Sequence, residues 1–128
     1  PPRSTLFPYT TLFRSEAVAQ AVRELRQAYP KSSYNCMIQS EDQLIALCAA
    51  GREKTSPRIV EIYDEYGRGE QAADYRVMRY RELRDDNGDS AGVVVSSSGY
   101  KQEGWNVLEN DQMIIVSNRN GTYRLRSI

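Results

Sequence analysis

Residues Val93–Val116 read VVVSSSGYKQEGWNVLENDQMIIV. Two apolar runs flank a polar, glycine-bearing segment, and the only tryptophan of the chain, Trp105, follows Gly104 directly. Val93, Val94 and Val95 in succession predict a strand buried on both faces, because a half-buried strand would alternate apolar with polar residues. Met113–Ser117 (MIIVS) predicts a further strand, and Trp105 is the natural anchor of the intervening segment into the core.

Hairpins extend from this stretch in both directions. Upstream, Asp74–Arg84 (DYRVMRYRELR) runs through Asp85-Asp86-Asn87-Gly88-Asp89 into Ala91–Ser97. Asn-Gly between two strand-like runs predicts a type I′ turn, which needs positive φ at both central residues. Downstream, Asn118-Arg119-Asn120-Gly121 links Met113–Ser117 to Thr122–Ile128. A two-residue Asn120-Gly121 turn would set Val116 opposite Leu125, with the apolar residues of both strands on one side. Nearer the N-terminus, Tyr34–Gln39 (YNCMIQ) and Gln43–Ala49 (QLIALCA) flank Ser40-Glu41-Asp42, a third hairpin with Cys36 and Cys48 on opposing strands.

Helices fill the remainder. From a capping Ser15, Val18, Ala21, Val22, Leu25 and Tyr29 share one helical face, Gln20, Arg23, Glu24 and Gln27 take the other, and Pro30 ends the element. Ser56-Pro57 predicts the start of a short helix carrying Ile59, Ile62, Tyr63 and Tyr66, with Gly67 at its end. Arg68–Ala73 is expected to be a loop. The class is α+β, with mostly antiparallel strands, one long helix and one short one.

Composition narrows the chemistry. The 128 residues carry 17 basic and 17 acidic side chains and no histidine. The balance argues against a nucleic-acid partner, and a mean hydropathy of −0.65 without a long apolar run argues against a membrane partner. Without histidine there is no His-assisted nucleophile and no His metal ligand. Cys36 and Cys48 are too few for a disulfide framework or a zinc site, so a reducing, cytoplasmic setting is expected and the two thiols are read as small buried apolar groups before a redox pair. Asp85, Asn87 and Asp89 begin like a calcium loop, but Ser90 and Ser96 stand where that loop needs Gly and Glu. Arg76, Arg79, Arg81 and Arg84 are interrupted by Glu82 and followed by Asp85 and Asp86, which reads as a solvated strand face. Ser96-Ser97-Ser98-Gly99 lacks the lysine of a phosphate loop and reads as a strand end and turn.

Residues 1–15 stand apart. They hold three of the five prolines, both phenylalanines and no acidic residue, whereas the rest of the chain carries two more acids than bases. Thr5–Ser15 (TLFPYTTLFRS) resembles the translation of a common short-read sequencing adapter. Residues 1–15 are then a non-native segment, with Phe7 and Phe13 expected outside the core, and residues 16–128 are the native domain. On that reading the true N-terminus of the domain lies upstream of Glu16. A Ser/Thr/Arg-rich transit peptide is the competing reading, and no amphipathic period supports it.

Val93–Val116 resembles the C-terminal stretch of class II glutamine amidotransferase domains, in which a valine-rich strand ends in a small-Ser-Glu motif and is followed by a tryptophan and a last apolar strand. Ser33–Cys48 (SYNCMIQSEDQLIALC) is similar to the strand, acidic turn and strand of the same family, with Asn35 at a position often Asn. Glu16–Tyr29 fits the preceding helix. Ser98 departs from the pattern, standing where the family has Glu. The resemblance implies a fragment of the four-layer α-β-β-α sandwich of N-terminal-nucleophile hydrolases. It implies hydrolysis of glutamine to glutamate and ammonia by an N-terminal cysteine whose own α-amino group is the base. The family's nucleophile and its glutamine-binding residues belong to the N-terminal half, and none maps onto this chain. No catalytic residue, cofactor ligand or metal ligand is therefore assigned here. The implied partners are the missing N-terminal half and, in the intact parent, glutamine. A non-enzymatic β-rich interaction module and a catalytically dead amidotransferase-like protein are the alternatives.

Overall fold

The computed structural model describes residues 3–51, 54–97 and 103–128, with side chains from residue 14 onward. The described residues form an α+β fold of seven strands in two antiparallel sheets, two α-helices and one 3₁₀ turn. Sheet A has the order β1-β2-β6-β7, built from β1 (Cys36–Gln39), β2 (Gln43–Cys48), β6 (Gln112–Ser117) and β7 (Tyr123–Ser127). Sheet B has the order β4-β3-β5, built from β3 (Met78–Arg84), β4 (Ser90–Ser97) and β5 (Asn106–Leu108).

Alternation along the strands explains the layering. Ile45, Leu47 and Ala49 at β2, with Met113 and Ile115 of β6, point to one face of sheet A, where Ala19 and Val22 of helix α1 (Arg3–Ala28) cover them. Ala46, Cys48, Ile114 and Val116 point the other way and meet Met78, Tyr80 and Leu108 of sheet B. Tyr80 closes this second core edge-on against Tyr123, with ring centroids 5.6 Å apart. The order of layers is helix, sheet A, sheet B. β2 and β6 are buried on both faces, which is why their sequences read as near-continuous apolar runs.

Ion pairs fix α1 across sheet A. Arg14 pairs with Asp42 at the β1–β2 turn, Arg126 of β7 pairs with Glu16, and Arg26 pairs with Asp111 just ahead of β6. Asp111 takes a left-handed backbone (φ 65°), a conformation that Asp tolerates better than most residues, and donates its N–H to the Cys48 carbonyl. The short helix α2 (Pro57–Glu65) starts as expected, with Ser56 accepting from the Ile59 N–H and Gly67 at φ 68° beyond its end.

Several expectations need correction. Ser15 does not cap α1; it lies inside the helix, 1% exposed, and the buried face is Ser15, Ala19 and Val22. Small side chains let the helix sit close to the sheet, so the contact shifted away from Leu25 and Tyr29, which are exposed. Gly69–Asp74 is a 3₁₀ turn, and β3 starts only at Met78. The β3–β4 turn is three residues long, because Asp85 N–H donates to Asp89 O and Gly88 N–H to Asp85 O. Gly88 alone supplies positive φ there; Asn87 does not. The β6–β7 loop is longer than two residues, so Val116 pairs with Tyr123 and Leu125 with Ile114, a two-residue shift that keeps every side chain on its expected face. Val94 is exposed, because it points to the outer face of sheet B and only Val93 and Val95 face sheet A. Trp105 is only half-buried; Leu108 anchors β5 instead. Ser98 and the side chains of Phe7 and Phe13 lie outside the described residues.

Candidate functional site

Four chain segments meet at one end of the sandwich. Asn35 enters β1, Ala49–Gly51 leave β2, Arg76 leads into β3, and Ser97 ends β4 opposite Met78. Asn35 Oδ1 accepts the Ala49 N–H at 2.9 Å, and its Nδ2 donates to the Arg76 carbonyl at 2.8 Å. Both ends of the amide are engaged, so its orientation is fixed. Ala49 belongs to the exit of sheet A and Arg76 to the approach to sheet B, and one side chain therefore ties the two sheets together.

The surrounding backbone is equally constrained. The Tyr34 N–H donates to the Ala49 carbonyl at 2.8 Å, the Arg76 guanidinium to the Gly51 carbonyl at 3.2 Å, and the Ala50 N–H to Asn110 Oδ1 at 2.9 Å. A cavity of about 310 Å³ opens here, lined by Ser33, Asn35, Tyr75, Arg76 and Ser97. Among the described residues the lining offers three hydroxyls and a guanidinium, with neither a carboxylate nor a thiol. Such a set can orient a hydrogen-bond-accepting group but supplies no base near neutral pH.

The cysteines do not complete a site. Cys36 points to the α1 face of sheet A and Cys48 to the sheet B face, although β1 and β2 are neighbours. Burial pushes both thiols up, which leaves them protonated and weakly nucleophilic at neutral pH. The arginines do not form a track either. Arg79, expected on a solvated face, is 5% exposed and paired with Asp74 at 2.8 Å, because the 3₁₀ turn brings that carboxylate back over β3. Arg84 is turned onto Glu82 and the Gly88 carbonyl. Among the described residues no cluster of three His, Cys, Asp or Glu could hold a metal ion, and no helix is long and apolar enough to cross a membrane.

A second cavity of about 400 Å³ lies at the end of α2, lined by Ile62, Tyr63, Tyr66 and Arg68. α2 buries none of its residues, so this hollow rests on an element with little support. Of the Asn35 cavity, sequence reading singled out Asn35 and, in other roles, Arg76 and Ser97; it missed Ser33 and Tyr75. The signal for Asn35 was the family resemblance, which places it at a position often Asn. No family model matches this sequence, and neither a curated protein nor a solved structure matches it.

Proposed function

We propose that residues 16–128 are the scaffold half of a class II glutamine amidotransferase-like domain of the N-terminal-nucleophile hydrolase type. The observation that carries this reading is the meeting of Asn35 with Ser97 at one cavity. Asn35 marks one of the two sequence stretches that resemble the family, and Ser97 ends the valine strand that opens the other. A helix layer stacked on two antiparallel sheets accords with three of that fold's four layers. In the intact parent an N-terminal cysteine, held in the other half, attacks the glutamine amide and expels ammonia; water then releases glutamate. This chain contributes the floor of the sandwich and the Asn35 brace and has no nucleophile of its own.

A second reading is an interaction module, favoured by apolar side chains left exposed on the outer face of sheet B beside the covered Arg79. Leu83, Val94 and Val107 lie there 41%, 40% and 47% exposed, where a four-layer sandwich would carry helices. The discriminating experiment is recovery of the coding sequence upstream of the Glu16 codon, followed by assay of the joined chain for ammonia release from glutamine. A Cys start followed by turnover supports the first reading; a folded joined chain without turnover supports the second.

A further inference from the structure

We propose that the cavity between Ser33, Tyr75, Arg76 and Ser97 binds the phosphate group of a small phosphorylated molecule. Among the described residues, the hydroxyls of Ser33, Tyr75 and Ser97 all line this cavity, and none of the three makes a hydrogen bond within the chain. Other contacts nevertheless hold them in place. Ser97 ends β4 paired with Met78 of β3, and the Tyr34 N–H beside Ser33 donates to the Ala49 carbonyl at 2.8 Å. The Tyr75 ring stands edge-on to Tyr63, with centroids 6.4 Å apart. Arg76 directs one N–H to the Gly51 carbonyl at 3.2 Å, and a guanidinium carries five. The donors are therefore positioned by the fold and not by one another.

The ligand class follows from charge and from the number of donors. The Ser96-Ser97-Ser98-Gly99 run has no lysine of its own, but the fold brings it a cation. Antiparallel pairing of β3 with β4 sets Arg76, which leads into β3, beside the end of β4. The carboxylate next along the chain, Asp74, is held by Arg79 at 2.8 Å. A phosphate monoester carries a charge of roughly −1.5 to −2 near neutral pH and three strong acceptor oxygens. Three hydroxyl donors and a guanidinium match that demand, whereas a carboxylate presents only two oxygens. At about 310 Å³ the cavity stands at the lower end of small-molecule pockets, roughly 300–1,000 Å³, which suits a phosphate on a short organic group.

The test is titration of the 128-residue chain with inorganic phosphate, glycerol phosphate and acetate, followed by calorimetry and phosphorus NMR. Circular dichroism confirms that each variant is folded. Both phosphates should bind saturably at one site, and acetate about tenfold more weakly or not at all. Arg76→Gln, Tyr75→Phe and the pair Ser33→Ala with Ser97→Ala should each weaken phosphate binding about tenfold. Arg84→Gln, whose parent side chain is turned onto Glu82 away from the cavity, should leave it unchanged. No saturable binding, acetate bound as tightly as phosphate, undiminished binding by folded Tyr75→Phe, or an equal loss in Arg84→Gln would overturn the proposal. The inference rests on the cavity's side chains and not on the amidotransferase reading. Phosphate titration of this chain and glutamine turnover by the joined chain are separate measurements, so the two fail separately.

Discussion

The Asn35 side chain donates to the Arg76 carbonyl at 2.8 Å, and through that bond the entrance of sheet A holds the entrance of sheet B. The same amide accepts from Ala49, so its loss leaves two backbone groups without their partner. Asn35→Ala should cost about 1–3 kcal/mol and lower the melting temperature of the chain. Asn35→Asp should also destabilise, because a carboxylate oxygen then faces the Arg76 carbonyl. A melt unchanged in both variants would show that the brace carries no stability.

Acid should loosen helix α1 from its sheet. Burial pushes the Asp42 carboxyl up, but the Ser40 hydrogen bond and the Arg14 guanidinium outweigh it and hold the group below its ordinary value of 3.8. Glu16 is held below its ordinary 4.5 by the Arg126 hydrogen bond and then by Arg23. A carboxyl depressed in the folded state stabilises in full above its ordinary value and loses that contribution as pH falls through the depressed one. The melting temperature is therefore expected to be level above about pH 5 and to fall below it. Asp42→Asn should shrink the fall. An acid slope identical in Asp42→Asn and the parent would show that this pair plays no part in it.

The thiols should be slow to react and should not join. With Cys36 and Cys48 on opposite faces of sheet A, oxidation should give no intramolecular disulfide. Alkylation of the native chain should be slow at neutral pH and accelerate as pH rises, since burial raises both groups. Thiol titration against mass spectrometry reads both outcomes.

The outer face of sheet B should bind a hydrophobic dye. Leu83, Val94 and Val107 are exposed on this face, Val107 opposite Arg79 and Val94 opposite Arg81, and exposed apolar side chains of this kind bind such dyes. Val94→Lys with Val107→Lys should reduce dye fluorescence without changing the melt by more than about 0.5 kcal/mol, the ordinary scale for surface changes. Undiminished fluorescence would place the dye elsewhere.

Much of the sheet scaffold was legible because it is written in apolar runs. QLIALCA and MIIVS predict strands with or without their neighbours, and the polar turns between runs fix the hairpin partners. What was not legible depends on contacts between layers. Ser15 and Ala19 carry no hydrophobic signal, and their burial follows only from how closely α1 approaches sheet A. Arg79 reads as exposed until a 3₁₀ turn delivers Asp74 to it. Val94 reads as buried because a sequence does not declare which face of a strand will stay uncovered. At the candidate site, Ser33 and Tyr75 bear no motif and become neighbours only when the sheets stack.

The scaffold reading is tested most directly by glutamine turnover measured on two proteins, this chain alone and the same chain joined to the coding sequence upstream of Glu16. The isolated chain should release no ammonia above buffer, before or after Cys36→Ser or Cys48→Ser, because burial keeps both thiols protonated. The joined chain should release ammonia and glutamate in equal amounts and lose this activity when its N-terminal cysteine is replaced. Ammonia release by the isolated chain that vanished on either cysteine substitution, or a folded joined chain with no turnover, would contradict the account.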